Sequence, residues 1–340
     1  MANPAVSSRL PHPIRVSAPA RLDFAGAWTD VAPFAVEQRG AVVNAAIELR
    51  TRVELIPSQD WYRLRADDLD EGVDAPTLDE LPRDGKLALL KAAMHRYRMP
   101  PCSLRSSAEA PPGSGLGTSG ALSVALVHAV KFALGEQLSE TEIAREAWQL
   151  ETVDAAVAGG QQDQYAAALG GFQQLVFDHG TTTSHPLRLD SAFMDELARH
   201  TIVCYTGRSR FSANTITRVM DAYQRKDAAV VDALHALAGI AAEMAAALLA
   251  ADLLRVGALL DANWAAQQQL DAGMRTDEMH RLEMAMADAG SAGGKAAGAG
   301  AGGSMFFVVP GDVGRALAAA QRCGARVLPV RWALRGSMNE

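Results

Sequence analysis

The first hundred residues carry short apolar runs broken by polar positions and rich in β-branched side chains, a pattern typical of strands. The pattern begins at Ile14, returns at Ala41 and appears again near residue 102. The segments that carry it are IRVSAPARLDFAG, AVVNAAIELRTRVELI and CSLRSSAEA. We therefore expect an N-terminal region built mainly from strands.

A helical spacing of apolar residues follows, which predicts amphipathic and buried helices. Gly135 is expected to end one of these helices, and Ser139 with Glu142 three positions later predicts a capping box at the start of the next. The helical segments are LALLKAAMHRY, SGALSVALVHAVKFALG and SETEIAREAWQLETVDAA.

The second half begins with two predicted strands around a polar passage that suggests a domain join. Residues 212–289 then read as alanine-rich helix. Residues 239–254 within them are expected to form a buried helix rather than a membrane span, because Glu243 and Asp252 interrupt the apolar run. A second glycine-rich stretch, a strand, a helix and a last strand follow, namely SAGGKAAGAGAGGS, MFFVVP, DVGRALAAAQRCG and ARVLPVRW. Because strands and helices come in blocks, the order favours an α+β protein, which we divide into residues 1–180 and 181–340.

Composition narrows the function classes. The chain has 340 residues, 49% hydrophobic content and a net charge of −7, so a large core is available and a nucleic-acid partner is disfavoured. We expect no membrane partner and leave a homodimer open. Three widely spaced cysteines outside any CxxC indicate neither a disulfide framework nor a zinc site and favour a reducing cytoplasm. The proline-containing first 15 residues have no apolar core and are expected to form a flexible lead rather than a signal.

The segment APPGSGLGTSGA places three glycines, at positions 113, 115 and 117, directly before an apolar helix. Glycine allows a backbone to wrap a ligand, and the first turn of a helix presents free N–H groups to an anion. The alternative is a tight strand-to-helix turn with no ligand. The segment is not a Walker A loop, which needs a lysine within the loop, because the nearest downstream lysine is Lys131. It is not the dinucleotide-binding fingerprint either, because its glycine spacing differs from GxGxxG.

Four further side chains are candidates for chemistry, each with a plainer alternative. Glu151 is a candidate carboxylate ligand for magnesium, and the alternative is a solvated surface charge. Asp163, between two glycine pairs, is a candidate base for a hydroxyl proton, and the alternative is that it caps the following helix. Arg21 is a candidate partner for a carboxylate or phosphoryl group, and the alternative is a surface salt bridge. Asp30 is a candidate sugar contact, and the alternative is that it caps a turn.

These segments together resemble the GHMP kinase superfamily along the whole chain. PARLDFAGAWTD is similar to its first motif, PPGSGLGTSGA to its phosphate-loop motif and GKAAGAGAGGSMFFVVP to its third motif. Within the superfamily, GAWTD, GGQQDQYAAALGGF and YTGRSR look most like kinases of the anomeric sugar hydroxyl, such as the heptose 7-phosphate kinases and fucokinases. The resemblance implies an N-terminal ribosomal-protein-like α/β domain, a C-terminal ferredoxin-like domain, and ATP and sugar meeting between them.

The resemblance also implies residue roles, with ATP and Mg²⁺ as the expected cofactors. Asp163 would be the catalytic base and Arg21 its charged partner, and Ser119 with Glu151 would hold magnesium. Asp30, Trp28 and Gly160 would join Asp163 around the sugar. The ATP phosphates would lie on Pro112, Gly113, Ser114, Gly115, Leu116, Gly117, Thr118 and Ser119.

Some positions depart from the family pattern, and other functions stay open. Trp28 stands where a glycine is usual and is expected to reshape the sugar pocket. A fucokinase-like kinase of a free sugar, a non-catalytic sugar or nucleotide sensor and an ATP-dependent decarboxylase are the alternatives. A sugar phosphate also needs a basic subsite, for which the candidates are Arg83, Lys86, Arg208, Arg210, Arg275 and Lys295.

Overall fold

The computed structural model describes residues 13–207 and 213–340. Within these residues the strands form two sheets. The strands are β1 (Ile14–Ala25), β2 (Arg39–Pro57), β3 (Tyr62–Ala66), β4 (Glu71–Ala75), β5 (Cys102–Ala108), β6 (Phe172–Asp178), β7 (Thr181–Pro186), β8 (Thr201–Tyr205), β9 (Gly293–Ala296), β10 (Ser304–Val308), β11 (Arg326–Leu328) and β12 (Met338–Asn339).

Helices cover both sheets. They are α1 (Phe34–Glu37), α2 (Ala88–Arg96), α3 (Thr118–Ala133), α4 (Glu140–Gln149), α5 (Gln162–Leu169), α6 (Ser191–His200), α7 (Ala213–Gln224), α8 (Ala228–Leu249), α9 (Leu253–Gln268), α10 (Asp277–Asp288) and α11 (Val313–Arg322). A single π-helical turn, Leu150–Asp154, continues α4.

The first sheet is built on the long strand β2, which changes partners along its length. Its first part, Arg39–Ala45, pairs with β6, and its last part, Thr51–Pro57, pairs with β5, while β1 runs antiparallel beside it. The strand order is β12-β1-β2-β5-β3-β4, with β6 and β7 continuing from β2. Both β1 and β2 are buried over most of their length, so their side chains are largely apolar and small.

The second sheet is antiparallel, with the strand order β11-β8-β10-β9. Numbered by chain order within this sheet, that is 4-1-3-2, with helices between the first and second and between the third and fourth strands. This is the ferredoxin-like β-α-β-β-α-β arrangement, and it confirms the expected α+β fold.

The hydrophobic core has three parts, one of which joins the two sheets. Val16 and Ala18 of β1 pack with α3 in the core of the first sheet. Leu22 and Phe24, farther along the same strand, pack with α8, α9 and Phe306 of the second sheet. Because β1 belongs to both clusters, it fixes the first sheet against the second.

Helix α8 is long and apolar enough, by length and composition, to cross a membrane. Its buried residues, among them Leu234, Ala241 and Leu248, lie in the shared core and in that of the second sheet. This placement is that of a core helix. The predicted single helix over residues 239–254 is wrong in its extent, because α8 ends at Leu249 and Asp252 caps the start of α9.

Several local predictions are confirmed and one is too long. Ser139 and Glu142 form a reciprocal capping box, and Gly135 adopts a left-handed φ of 73° just after α3 ends. The strand predicted over ARVLPVRW covers only the three residues of β11, because Pro329 has no N–H to continue the ladder.

The division predicted at residue 180 lies in the turn between β6 and β7, both of which belong to the first sheet. Strand β12 also returns to that sheet from the end of the chain. The two-domain division stays a proposal, and sheet membership favours a boundary after Pro186.

Candidate active site

The loop between β5 and α3 has the geometry of an anion cradle. Gly113, Gly115 and Gly117 have left-handed φ values of 67°, 74° and 74°, which residues with a Cβ rarely adopt. These turns bring the loop to the start of α3, whose first N–H groups have no intrahelical acceptor. The hydroxyls of Ser114 and Thr118 are buried and have no hydrogen-bond partner in the structure. Buried polar atoms of this kind are expected where a ligand supplies the partner.

The second glycine-rich stretch, between β9 and β10, lies against this loop. Ser304 N–H donates to the carbonyl of Ser114 at 2.7 Å. A Cβ on Gly298 would lie 2.5 Å from the carbonyl oxygen of Gly115, and one on Gly303 would lie 2.8 Å from that of Ser114. Glycine is therefore required for the close approach of the two backbones, and the second sheet forms one wall of the cradle.

Arg21, on β1, connects the three motif segments. Its Nη1 donates to the carbonyls of Gly115 and Ala297, each at 2.7 Å, and its Nε donates to Asp163 Oδ1 at 2.8 Å. The side chain is buried, so these bonds are shielded from water. The surface salt bridge considered for Arg21 is therefore not what the structure contains.

Asp163 lies in the first turn of α5 and faces the start of α3. Its Oδ1 is held by Arg21, and about a quarter of its side chain, 28%, stays exposed. A Cβ on Gly120 would lie 2.5 Å from Asp163 Cβ, so the glycine makes room for the acid. The cap position of α5 belongs to Gln161, which rules out the capping alternative for Asp163. The structure thus brings a partly exposed carboxylate to the edge of the cradle.

Glu151 lies in the π-helical turn that continues α4 and is only 7% exposed. Ser119 Oγ donates to its Oε1 at 2.5 Å, and Ser123 Oγ and Gln164 Nε2 donate to its Oε2 at 3.2 and 2.7 Å. Burial raises the pKa of the carboxyl, and the charge of Asp163 adds to this effect. Glu151 is therefore not a solvated surface charge, and with Ser119 it offers two oxygen ligands to a cation.

Asp30 is 3% exposed and lies beside the glycine pair that precedes α5. Its Oδ2 accepts a hydrogen bond from Gln162 N–H at 3.0 Å, and a Cβ on Gly160 would lie 1.9 Å from that oxygen. Burial, reinforced by the charges of Asp163 and Asp23, raises the pKa of Asp30 to about 6. The structure therefore places a carboxyl that titrates near neutrality close to Asp163.

Trp28 packs with Val31 and Phe34 in the core of the second sheet. It has a left-handed φ of 82° and is almost fully buried. Its role as a sugar contact stays a prediction.

Asp23 and Lys295 form an ion pair that the sequence does not predict, so the expectation that Lys295 binds a substrate phosphate is wrong. Lys295 Nζ donates to the carboxylate of Asp23, to the backbone carbonyl of Asp23 at 2.7 Å and to that of Ala296 at 2.9 Å. Both side chains are fully buried, and burial together with the charge of Arg21 lowers the pKa of Lys295. The available signal was the spacing of Arg21 and Asp23, which points both side chains to one face of β1.

The other basic residues that the sequence offers for a substrate-phosphate subsite differ in their surroundings. Lys86 pairs with Glu71 and Arg275 with Glu283, so both have carboxylate partners. Arg83 is exposed. Arg208 and Arg210 lie outside the described residues.

Comparisons with known proteins also point to a kinase. Residues 86–171 match the family described as GHMP kinases N terminal domain. The chain is 32% identical over 309 residues to the D-glycero-alpha-D-manno-heptose 7-phosphate kinase of Campylobacter jejuni, covering 87% of this chain and 89% of that protein. It is 27% identical to the L-fucokinase/L-fucose-1-P guanylyltransferase of Bacteroides fragilis, of which it spans 34%.

Among solved structures, a D-glycero-D-manno-heptose 1-phosphate kinase from Bacteroides thetaiotaomicron superposes with a TM-score of 0.78 at 25% identity, over 96% of this chain and 98% of that one. The galactokinase of Lactococcus lactis, solved with galactose, also has a TM-score of 0.78, at 18% identity over 97% of this chain and 95% of its own. The second likeness bears on the fold alone.

Proposed function

Because this chain belongs to the GHMP kinase family, we propose that it transfers the terminal phosphoryl group of ATP to the anomeric hydroxyl of a heptose 7-phosphate. The observation that carries the proposal is the position of Asp163, a partly exposed carboxylate held by Arg21 at the edge of the phosphate cradle. A phosphoryl acceptor beside that carboxylate lies next to the donor, which is the alignment that the reaction needs.

The cradle is proposed to hold the nucleotide. The N–H groups at the start of α3, together with the partnerless hydroxyls of Ser114 and Thr118, supply donors to the phosphate oxygens. Arg21 couples this loop to the third motif through Gly115 and Ala297, so the backbone is ordered before ATP arrives. Such preorganisation reduces the entropy lost on binding.

Ser119 and Glu151 fit a magnesium ion. A hydroxyl and one buried carboxylate leave most of the coordination sphere to phosphate oxygens and water, as magnesium prefers. The described residues contain no cluster of three or more His, Cys, Asp or Glu side chains that would form an all-protein cage. When bound, the ion would neutralise charge on the phosphates.

Asp163 is proposed to act as the base. Arg21 Nε occupies Oδ1, which leaves the second carboxylate oxygen for the proton of the sugar hydroxyl. As that proton moves to Asp163, the anomeric oxygen forms a bond to the terminal phosphorus, the bond from this phosphorus to the bridging oxygen breaks, and ADP leaves. Asp30 is proposed to accept hydrogen bonds from other hydroxyls of the sugar, as its raised pKa still leaves it mainly ionised above pH 6.

The cytoplasm is the proposed location, since ATP is available there and the three cysteines are free thiols. A free sugar is the second candidate acceptor, and the similarity to a fucokinase-containing protein favours it. A sensor without catalysis would have no use for a buried metal-ligand pair and an oriented base.

The test is ADP release measured with a panel of heptoses, fucose and mannose. Each sugar is supplied free and, where its chemistry allows, as the terminal phosphate. We expect turnover on a heptose 7-phosphate and a product whose new phosphate is on the anomeric oxygen by ³¹P–¹H NMR. A new phosphate on a primary hydroxyl, or saturable sugar binding with no ADP release, would contradict the proposal.

Asp163→Asn sharpens the test because the amide keeps the shape of the acid but cannot take the proton. We expect kcat to fall by about 10²- to 10⁴-fold while the Kd of ATP changes by less than about threefold. Asp232→Asn, at an exposed position on α8, is the matched control and should leave both constants unchanged. An Asp163→Asn enzyme with near-normal kcat would remove Asp163 from the chemistry.

A further inference from the structure

A cavity of about 360 Å³ lies beside the candidate active site, between α1, α4 and the turn that joins β6 to β7. Its wall includes Asp30, Arg145, Trp148, Gln161 and Thr182. The volume lies within the range of small-molecule sites. Asp30, a proposed sugar contact, lies on this wall and is close enough to Asp163 for the charge of Asp163 to raise its pKa, so the cavity adjoins the proposed sugar site.

The cavity is separate from the loop proposed to bind the nucleotide. Neither Asp163 nor any residue of the cradle at 112–119 lies on its wall. Gln162 N–H, which donates to Asp30, is one position before Asp163 in α5, so Asp30 stands between Asp163 and the cavity wall that it shares with Arg145. The cavity is therefore placed for the part of the acceptor that does not react.

Arg145 gives the cavity its positive charge. It is the basic side chain among the lining residues, it is exposed, and no carboxylate oxygen lies within 4.0 Å of it in residues 13–207 or 213–340. Glu142, one turn earlier on α4, feels its charge but is committed to the capping box with Ser139. By contrast, Arg96 is already paired with Asp154. An arginine without a carboxylate partner is free to bind a phosphate with two parallel hydrogen bonds.

Trp148 adds an independent observation. Its indole Nε1 is buried and has no hydrogen-bond partner in the structure, although the residue lines the same cavity as Arg145. An indole N–H can only donate, so it requires an acceptor such as a phosphate oxygen. Both side chains lie on α4, three positions apart, and therefore on one face of the helix.

The wall thus combines an acidic group suited to hydroxyls with a basic group and a free N–H donor suited to an anion. We propose that this cavity is the subsite for the terminal phosphate of the sugar, with Arg145 and Trp148 as the residues that select a phosphorylated over an unphosphorylated acceptor. This inference rests on the proposed function, since it concerns the acceptor of the same reaction.

The test compares one heptose with and without its 7-phosphate, using the whole chain of 340 residues. Arg145→Met keeps the length of the side chain and removes the charge, so kcat/KM for the heptose 7-phosphate should fall roughly 10- to 100-fold, mainly through KM, in proportion to the loss of a charge-assisted hydrogen bond. The value for the unphosphorylated heptose should stay within about twofold. Trp148→Phe keeps the ring and should give a smaller loss, roughly three- to tenfold, with the same selectivity.

Arg322→Met, at the exposed end of α11 in the layer of the second sheet, is the matched control and should alter neither constant. Equal losses for both acceptors, or unchanged kcat/KM for the heptose 7-phosphate in Arg145→Met, would overturn the subsite while leaving the kinase intact. A rise in KM for ATP alone would assign the cavity to the nucleotide and also overturn it. Failure of the proposed function is distinct, because the unmodified enzyme would then release no ADP with any acceptor.

Discussion

Asp30 is expected to weaken the fold at neutral pH, and replacing it by asparagine is expected to stabilise the protein. The carboxyl is almost fully buried, and its burial raises its pKa from 3.8 to about 6. A folded-state pKa above the unfolded-state value means that the folded protein binds the proton more tightly. The stability that this protonation contributes is complete below about pH 4 and is lost as the pH rises through 6.

The magnitude follows from the size of that shift. Two pKa units or slightly more, at ~1.36 kcal/mol per unit, correspond to about 3 kcal/mol at pH 7.5. Asparagine is neutral at every pH, and its amide oxygen can still accept the hydrogen bond from Gln162 N–H. With an unfolding entropy of about 2.1 cal/mol/K per residue over the 340 residues, the gain raises Tm by about 4 °C.

The assay is urea unfolding of Asp30→Asn and the unmodified protein at pH 7.5 and pH 5, with Tm measured alongside. The difference in unfolding free energy should shrink from about 3 kcal/mol at pH 7.5 to about half of that at pH 5, where Asp30 is itself mostly protonated when folded. Asp232→Asn on α8 is the exposed control and should change stability by less than about 0.5 kcal/mol. A difference at pH 7.5 below about 1 kcal/mol, or one that does not depend on pH, would show that the ionised Asp30 does not destabilise the fold. The same variant should lose sugar affinity, since stability and function compete at this position.

Three other changes have defined outcomes. Gly120→Ala should displace Asp163, the proposed base, because the new Cβ would lie 2.5 Å from Asp163 Cβ, and we expect kcat to fall at least about tenfold. Gly239→Ala, with open space around it in α8, should leave kcat unchanged in the same assay. Lys295→Met should cost about 3–5 kcal/mol in urea unfolding, since it leaves its aspartate partner charged, buried and unpaired, and a cost below 1 kcal/mol would contradict this account. Glu151→Gln should raise the Mg²⁺ concentration for half-maximal activity by roughly tenfold or more, whereas Glu140→Gln, exposed at the start of α4, should not change a magnesium titration.

Local features of this protein were predictable because neighbouring residues decide them. The capping box at Ser139 depends on two side chains three positions apart, and the end of α3 depends on one glycine. The turn of the cradle similarly depends on the glycines at 113, 115 and 117. The resemblance to a kinase family arises from such segments in their order along the chain.

The family resemblance implied that Arg21 meets Asp163 and that Ser119 meets Glu151, but local sequence alone predicts neither these contacts nor the charge states, because they depend on residues far apart in the chain. Arg21 and Asp163 are separated by 142 positions, and Lys295 and Asp23 by 272. Lys and Glu side chains are mostly exposed in folded proteins, and no neighbouring residue in the sequence indicates that Glu151 and Lys295 are buried. The sequence therefore favours a surface charge for Glu151 and a free cation for Lys295.

Which segments become strands, helices and glycine turns could be inferred from the sequence, since hydrogen bonding and side-chain periodicity act over a few residues. Which of these segments meet depends on the packing of the whole chain. Packing β1 against both sheets brings Arg21 to Asp163 and buries Glu151 beside Ser119, and the fold leaves a cavity whose wall includes both Asp30 and Arg145. Burial and proximity set the charge of each group, and both are properties of the packed chain as a whole.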